Sequence, residues 1–341
     1  MQRIVVIGAS AGGIEALRFL LAALPADFPA ATCIVVHTAP QSPGVLPQIF
    51  ARTSSLVVAD PRDGDELAAG RVYVAPPDHH LLVEPGRVRV TKGPRENRFR
   101  PAIDPLFRSA AQVFGPNAIG VVLTGSLDDG TTGLDVIKRL GGTAVVQDPA
   151  DALYPSMPQS AIDHVDVDHV VRLADVAPLL VELTRVRTEP WTGEAVPVEV
   201  EVEVKIAKEH NPVDAGLERL GRPSPFACPE CHGVLLQFKD ASRMRFRCHT
   251  GHAYSIDSLV AAVSEGVEES LWNAVRSLEE AGLLLQMLAT HVSEGQDTGN
   301  AGRRREQAEQ ARRQSDEVRQ LVNAREPLAQ ETGQPNRRAQ S

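Results

Sequence analysis

The stretch Gly8-Ala9-Ser10-Ala11-Gly12-Gly13 places one hydroxyl among small residues, directly after the apolar run IVVI. A dinucleotide-binding turn would carry glycine in place of Ser10, because a side chain there keeps the backbone away from a pyrophosphate. It would also have an acidic residue at the end of the second strand, where this chain has His37. Residues 8–12 instead fit the pattern Gly-x-Ser-x-Gly, in which a tight strand-to-helix turn lifts the serine hydroxyl above the sheet. The pattern predicts that Ser10 is a nucleophile.

A base and an acid for this nucleophile follow two other predicted strands. His37 comes directly after the run CIVV, and Asp128 and Asp129 lie in the loop SLDDGTTG after the run AIGVVLTG. Neighbouring parallel strands end in one crevice, so we expect His37 to meet the Ser10 hydroxyl and one aspartate to orient the imidazole. The other aspartate is expected to cap the following helix. The residues alone leave open which aspartate has which role.

Three of the four cysteines cluster in the last third of the chain and indicate a metal site. Cys228 and Cys231 form a Cys-x-x-Cys knuckle, and Cys248 with His252 forms a second one. Thiolates and imidazole suit tetrahedral Zn²⁺, and four protein ligands leave no position for a reactive water. We therefore predict a structural zinc ion in a zinc-ribbon-like module. The alternatives for the fourth ligand are two further histidines, His232 and His249.

The elements that position these residues divide the chain into five segments. Residues 1–185 alternate short apolar runs with amphipathic stretches, which is typical of a doubly wound, mostly parallel α/β (Rossmann-like) sheet. The VEVEVEV stretch that follows is predicted to lie in a solvated linker, with an added edge strand as the alternative. The linker, the zinc-ribbon-like module, a helical region and a disordered tail are predicted at 186–222, 223–260, 261–325 and 326–341.

The helical region has an apolar seam that needs a partner. Leu271, Leu278, Leu285 and Val292 lie seven residues apart, with Ala274, Ala281 and Leu288 between them. Such a heptad pattern is typical of a helix that packs against another helix. The polar helix RRREQAEQARRQSDEVRQLV can supply that partner as a hairpin. A dimer, or another protein bound through the helical tail, is the alternative.

Charge and hydropathy disfavour several classes of protein. The net charge is −9 and the pI is about 5.6, whereas a nucleic-acid-binding surface is normally basic. We find no apolar run of the ~18 residues that a membrane-spanning helix requires, so no membrane insertion is predicted. The start MQRIVVIG enters a predicted strand without the layout of a signal peptide, which favours a cytoplasmic location.

Five motifs together resemble the catalytic domain of the chemotaxis protein-glutamate methylesterases. They are GASAGG, VVH, RPAIDPLFRSAA, LTGSLDDGTTG and VVQDP…MPQSAI, in the family's order within residues 1–185. The resemblance implies hydrolysis of glutamate methyl esters on methyl-accepting chemoreceptors, and deamidation of glutamines there, with no cofactor for catalysis. The family's serine, histidine and aspartate fall on Ser10, His37 and Asp129. Backbone N–H groups near Ala11 and Gly12 would then hold the oxyanion.

The chain also departs from the family pattern. The family commonly carries a phosphoacceptor receiver domain before the catalytic domain, whereas this chain begins at the catalytic strand, so phosphorylation in cis is not expected. Ser126 and Leu127 stand where the family usually has Met-Gly, which is expected to alter the pocket. The loop TKGPRENRFRP leads toward the predicted site and carries the cations Lys92, Arg95, Arg98 and Arg100.

Two other functions stay open from the sequence. One is a serine hydrolase that acts on another protein, or on a small-molecule ester or amide, with the same three residues. The other is a non-catalytic signalling adaptor whose α/β domain only binds a modified protein.

Overall fold

The computed structural model describes residues 3–186, 189, 191–193, 196–240, 243–293 and 298–326. The strands are β1 Ile4–Ala9, β2 Ala31–Val36, β3 Val57–Ala59, β4 Arg71–Val74, β5 His80–Glu84, β6 Arg87–Thr91, β7 Ala118–Val122, β8 Thr143–Gln147, β9 His169–Val171, β10 Arg222–Ala227, β11 Val234–Asp240, β12 Arg243–Cys248 and β13 Ala253–Ser255. The helices are α1 Gly13–Ala23, α2 Leu46–Ala51, α3 Ile103–Phe114, α4 Thr131–Arg139, α5 Ser156–His164, α6 Leu173–Arg185, α7 Val198–Ala207, α8 Pro212–Ala215, α9 Ile256–Ser293 and α10 Thr298–Ala324. The described residues fall into two compact units that divide between Leu259 and Val260.

The first unit is built on a seven-stranded parallel sheet with the order β3-β4-β2-β1-β7-β8-β9. Successive side chains of β1 enter opposite layers, as the twofold period of a strand requires. Ile4 and Val6 pack in one core with α3, and Val5 and Ile7 pack in a second core with α1. Helices therefore cover both faces, and the predicted α/β class with a mostly parallel sheet is confirmed. Because β1 lies between β2 and β7, the loops after these three strands meet at one edge.

The segment predicted as a solvated linker contains a buried helix, so that prediction is wrong for residues 198–207. In α7 the valines of VEVEVEV contact two different cores. Val200 and Val204 join the core beneath the sheet, and Val202 packs with Ile206 in a separate cluster. Apolar residues at every second position do not line one face of a helix, which has a period of 3.6 residues, so the VEVEVEV pattern did not predict a helix. The edge-strand alternative is wrong for the same residues.

A buried cluster of charged side chains connects α7 and β12 to α3. Its members are two glutamates and three arginines, namely Glu96, Glu203, Arg108, Arg245 and Arg247, each about 1% exposed or less. Arg247 Nη2 lies 2.8 Å from Glu96 Oε1 and 2.6 Å from Glu203 Oε2, and Arg108 pairs with Glu96. Burial alone would raise the pKa of Glu203, but the neighbouring arginines, Arg247 first, hold that pKa below its usual value. Arg108 and the other two arginines likewise hold the pKa of Glu96 below its usual value against the effect of burial, so both glutamates are ionised, and each arginine charge has a carboxylate beside it.

We expect Glu203→Gln to destabilise this unit strongly, because it leaves three buried guanidinium groups facing one carboxylate. Removing one partner of a buried ion pair costs about 3–5 kcal/mol of unfolding free energy. The matched control is Glu201→Gln on the same helix, where an exposed carboxylate pairs with Lys205 at 3.8 Å and contributes at most about 1 kcal/mol. Urea unfolding of both variants measures the difference. Equal losses would contradict the role given to the cluster.

The cysteine-rich segment forms a four-stranded antiparallel sheet in the order β10-β11-β12-β13. We call β10 to β13, with the connecting turns, the cysteine module. Phe238, Phe246 and Tyr254 are buried and form its small core, whereas Phe226 is half-exposed and contacts Phe246 edge-on. The predicted domain boundaries stay predictions, and most of the predicted tail, residues 327–341, lies outside the described residues.

The second unit contains α10 and most of α9, which pack against each other. The buried residues of this unit are small and include Val275, Gly282 and Ala289 on α9 and Ala301, Ala308, Ala311 and Ser315 on α10. Leu271, Leu278 and Leu285 of the predicted seam flank this contact and are half-buried, whereas Leu288 is exposed. The helix α10 of the same chain therefore packs beside the predicted seam, along Val275, Gly282 and Ala289, and leaves Ala281 exposed as well. The predicted dimer or tail partner stays untested, and Val292 lies among the side chains that are not described. Within the described ranges, no helix combines the length and the apolar character that crossing a membrane requires.

Candidate active site

The serine turn connects β1 to α1 through a left-handed residue. Ser10 follows Ala9 at the end of β1, and its N–H donates to Thr124 O at 3.0 Å. Gly12 has φ 73°, a conformation that favours glycine, and a Cβ there would lie 3.1 Å from Leu153 Cδ2. Within the described ranges, the N–H groups of Ala11 and Gly12 donate to no other protein group. The turn thus leaves two backbone donors next to the Ser10 hydroxyl, at the N-terminus of α1.

His37 extends β2 by one residue and reaches both predicted partners. Its N–H donates to Ala9 O at 3.2 Å, which holds the residue beside the end of β1. Its Nδ1 lies 3.1 Å from Ser10 Oγ, and its Nε2 lies 2.7 Å from Asp129 Oδ2. Asp129 can only accept when it is ionised, so Nε2 carries the proton and Nδ1 is free to accept from the serine. The imidazole is 3% exposed, which keeps this pairing away from water.

Asp129 lies in the loop between β7 and α4 and is almost completely buried. Besides His37, its carboxylate accepts from Ile103 N at 2.7 Å, Asp104 N at 3.3 Å and Asn97 Nδ2 at 2.9 Å. The two backbone donors belong to the first turn of α3, where the helix dipole also favours a negative charge. Burial alone would raise the pKa of Asp129, but the hydrogen bonds that it accepts, His37 first, hold that pKa below its usual value.

Asp128 does not have the capping role expected for the second aspartate. The N-cap of α4 is Gly130, and a first-turn N–H of this helix, that of Gly133, donates to Asp104 Oδ1 at 2.6 Å. Asp128 Oδ1 instead accepts from Ser255 Oγ at 2.9 Å, and its Oδ2 pairs with Arg243. Asp128 therefore connects the loop that carries Asp129 to the cysteine module.

Two residues that the sequence did not single out, Asn97 and Phe99, contact the three side chains. The Phe99 ring stacks on the His37 imidazole with centroids 3.7 Å apart and planes 7° apart. Asn97 Nδ2 donates to Asp129 Oδ1, the carboxylate oxygen that does not contact His37. Both lie in the loop between β6 and α3, and Asn97 and Arg98 have φ of 49° and 78°. Neither spacing nor composition marks such positions, because they depend on the path of an irregular loop.

A cavity of about 430 Å³ opens onto Ser10 and His37. Its wall includes Ala11, Phe99 and three of the predicted cations, Arg95, Arg98 and Arg100. Arg100 binds Asp78 through Nη2 at 2.6 Å, and Lys92 also pairs with Asp78 and is not part of the wall. Leu127, at the position where the related motif has glycine, has φ 62° and therefore adopts a strained left-handed backbone.

The four predicted metal ligands lie together at one end of the cysteine module. Cys228, Cys231, Cys248 and His252 each place one ligand atom within 4.8 Å of the others. His252 Nδ1 faces the sulfurs, and its Nε2 lies 3.4 Å from Glu230 Oε2, a carboxylate in the position that usually orients a metal-bound imidazole. This donor set fits a tetrahedral zinc ion. Among the described residues, the alternatives His232 and His249 are not part of this group.

Comparisons with known proteins agree on the first half of the chain. The family model described as CheB methylesterase matches residues 5–180. A Leptospira interrogans protein named "Putative protein-glutamate methylesterase/protein-glutamine glutaminase" is 42% identical over 180 residues, which cover 52% of this chain and 93% of that protein. Protein-glutamate methylesterase/protein-glutamine glutaminase 2 of Anaeromyxobacter dehalogenans is 42% identical over 182 residues, 53% of each chain, so this chain spans about half the length of that relative.

A solved structure supports the same assignment. The crystal structure of the Thermotoga maritima CheB methylesterase catalytic domain superposes with a TM-score of 0.52 at 35% sequence identity, covering 54% of this chain and 99% of that one. The family model matches the part of the chain that carries Ser10, His37 and Asp129. The chain belongs to the CheB methylesterase family.

Proposed function

We propose that this chain is a serine esterase that hydrolyses glutamate methyl esters on methyl-accepting chemotaxis receptors, and that it deamidates glutamine side chains of the same proteins. The observation that carries the proposal is the continuous chain of contacts from Ser10 Oγ to His37 Nδ1 at 3.1 Å and from His37 Nε2 to Asp129 Oδ2 at 2.7 Å. A serine becomes nucleophilic when a base accepts its proton and a third group orients that base. The names of the relatives supply the substrate class.

The reaction follows from these contacts in two steps. Ser10 Oγ attacks the ester carbonyl while His37 Nδ1 takes its proton, and the N–H groups of Ala11 and Gly12 stabilise the negative oxygen. The C–O bond to the methoxy group then breaks, and His37 returns the proton so that methanol leaves. Water hydrolyses the acyl-serine with His37 again as the base, and Ser10 regains its proton. With a glutamine side chain, ammonia leaves in place of methanol. Asp129 stays ionised and stabilises the imidazolium.

The cations on the cavity wall support an acidic protein substrate. Arg95, Arg98 and Arg100 line the wall, Arg95 lies 3.8 Å from Glu230, and Arg100 is paired with Asp78, so neighbouring carboxylates offset part of the positive charge of the wall. A cationic entrance raises the local concentration of an anionic partner. Glutamate-rich segments of a receptor would be favoured over neutral esters of the same size.

A structural zinc ion held by Cys228, Cys231, Cys248 and His252 is part of the same proposal. Four protein ligands leave no coordination position for the substrate, so the ion would supply folding free energy to the cysteine module and no chemistry to the ester. The hydrolysis described above uses only the chain's own side chains and backbone.

Methanol release separates the proposed activity from the two alternatives. Wild-type protein should release methanol from methylated receptor cytoplasmic fragments faster than from generic methyl esters at equal concentration, and Ser10→Ala provides the blank. Comparable rates on generic esters would favour a different hydrolase. No release from any ester, with no labelling of Ser10 by a serine-directed probe, would favour a non-catalytic adaptor.

A further inference from the structure

We propose that the cysteine module is a positioning element of the active site, so that metal occupancy sets the geometry of Ser10, His37 and Asp129 and controls the chemical step through Asn97. The inference rests on the proposed function. It goes beyond a structural role for the metal, because it makes kcat depend on whether the module holds its metal. The contacts that carry it run without a gap from the metal ligands to the catalytic carboxylate.

The first contacts connect the metal ligands to β13. Cys248 ends β12 and His252 directly precedes β13, so the two ligands enclose one tight turn. Within the turn, Cys248 N donates to His252 O at 3.0 Å and Gly251 N donates to Cys248 O at 2.9 Å. A metal bound by both side chains fixes this turn, and hence the position at which β13 begins.

The next contacts connect β13 to the loop between β6 and α3. Ala253 N donates to Arg95 O at 3.1 Å, and Asn97 N donates to Ala253 O at 2.8 Å. Ser255 N donates to Asn97 Oδ1 at 3.0 Å. β13 thus pairs in parallel with this loop and forms hydrogen bonds with both the backbone and the side chain of Asn97.

The last contacts connect the loop to the catalytic side chains. Because Asn97 Oδ1 accepts from Ser255, its Nδ2 is directed to the other side, where it donates to Asp129 Oδ1 at 2.9 Å. The same loop supplies Phe99, whose ring covers the His37 imidazole. A second connection runs from Ser255 Oγ to Asp128, the neighbour of Asp129.

The loop needs these contacts because its backbone is not favourable by itself. Asn97 and Arg98 both have positive φ, which side chains other than glycine rarely adopt. Glu96, directly before them, is held by the buried Arg247, the residue next to Cys248. Loss of the metal would release the turn and β13 together, and the loop would then leave a conformation that only its neighbours maintain.

The test uses full-length wild-type protein loaded with zinc and then stripped of it by a chelator. We expect kcat for methanol release to fall about 10²-fold, the effect of an ångström-scale misplacement, while KM changes by less than about threefold. Adding zinc back should restore the rate. Amide hydrogen exchange should increase at residues 95–99 and 253–255 but not in β1 and β2, a readout that does not depend on activity.

Two variants isolate the connection. Asn97→Ala in the zinc-loaded protein should lower kcat, and subsequent zinc removal should lower it by a smaller factor than in wild type, because part of the connection is already cut. His249→Ala is the matched control, since this exposed histidine is adjacent to Cys248 but is not part of the ligand group. It should leave both kcat and exchange unchanged.

Unchanged kcat and unchanged exchange after zinc removal would overturn the inference. Loss of protection in β1 and β2 together with residues 95–99 would also overturn it, because the metal would then be only a general stabiliser. If exchange responds locally as expected but zinc-loaded protein releases methanol from no ester, the connection stands and the proposed esterase activity fails.

Discussion

Ser10→Ala should lower methanol release from methylated receptor fragments by about 10⁴-fold or more. The variant removes the atom that attacks the carbonyl, and loss of the serine in a comparable triad removes nearly all catalysis that the three residues supply. The Ser10 side chain faces the cavity and makes its one described side-chain hydrogen bond to His37, so alanine should fit without disturbing the sheet. Rates measured at saturating substrate, together with urea unfolding, separate lost chemistry from lost structure.

The matched control for Ser10→Ala is Ser42→Ala, a serine in the loop after β2 that is not part of the cavity wall. It should retain the wild-type rate within about twofold. If Ser10→Ala kept more than about a tenth of the wild-type rate in a folded protein, another group would have to be the nucleophile.

Asp129→Asn should reduce kcat by about 10²- to 10⁴-fold with little change in fold. The carboxylate accepts from His37 and Ile103 on one oxygen and from Asn97 and Asp104 on the other, so every neighbour is a donor. An amide can accept on one side only. If its NH₂ group faces His37, it donates to Nε2 and forces the imidazole proton onto Nδ1, where His37 can no longer accept from Ser10.

A second hydrogen-bonded aspartate tests whether this effect is specific. Asp168 accepts from Ala144 N at 2.7 Å and from Lys138, at a distance from the cavity. Asp168→Asn should therefore lower stability without lowering kcat. Equal kcat losses in the two variants would remove Asp129 from the catalytic group.

The parallel sheet explains why part of the site was predictable. Apolar runs followed by Ser10 and His37 predict two neighbouring strand ends, and such ends share one crevice. The choice between Asp128 and Asp129 depended on the resemblance to a family, because the residues alone fit both roles. In the structure, Asp129 contacts His37, whereas Asp128 contacts β13 and Arg243.

The support of the site was not predictable from local pattern. Asn97 and Phe99 lie in a loop in which Asn97 and Arg98 have positive φ, and residues other than glycine do not predict that conformation. Arg247 and Glu96 are 151 residues apart in the sequence, and the residues that flank each of them do not predict that its charge is buried. The valines of α7 follow a strand-like alternation because they enter two cores. Each of these features depends on tertiary packing, which overrides local propensity.

If Ser10, His37 and Asp129 act as one catalytic unit, combining two of the variants should cause no further loss of rate. Methanol release should be measured for Ser10→Ala, His37→Ala and the double variant under the same conditions. We predict that the double variant is no slower than either single variant, because each single change already removes the function of the unit. Losses that multiply in the double variant would contradict the claim, since they would mean that the two side chains contribute independently.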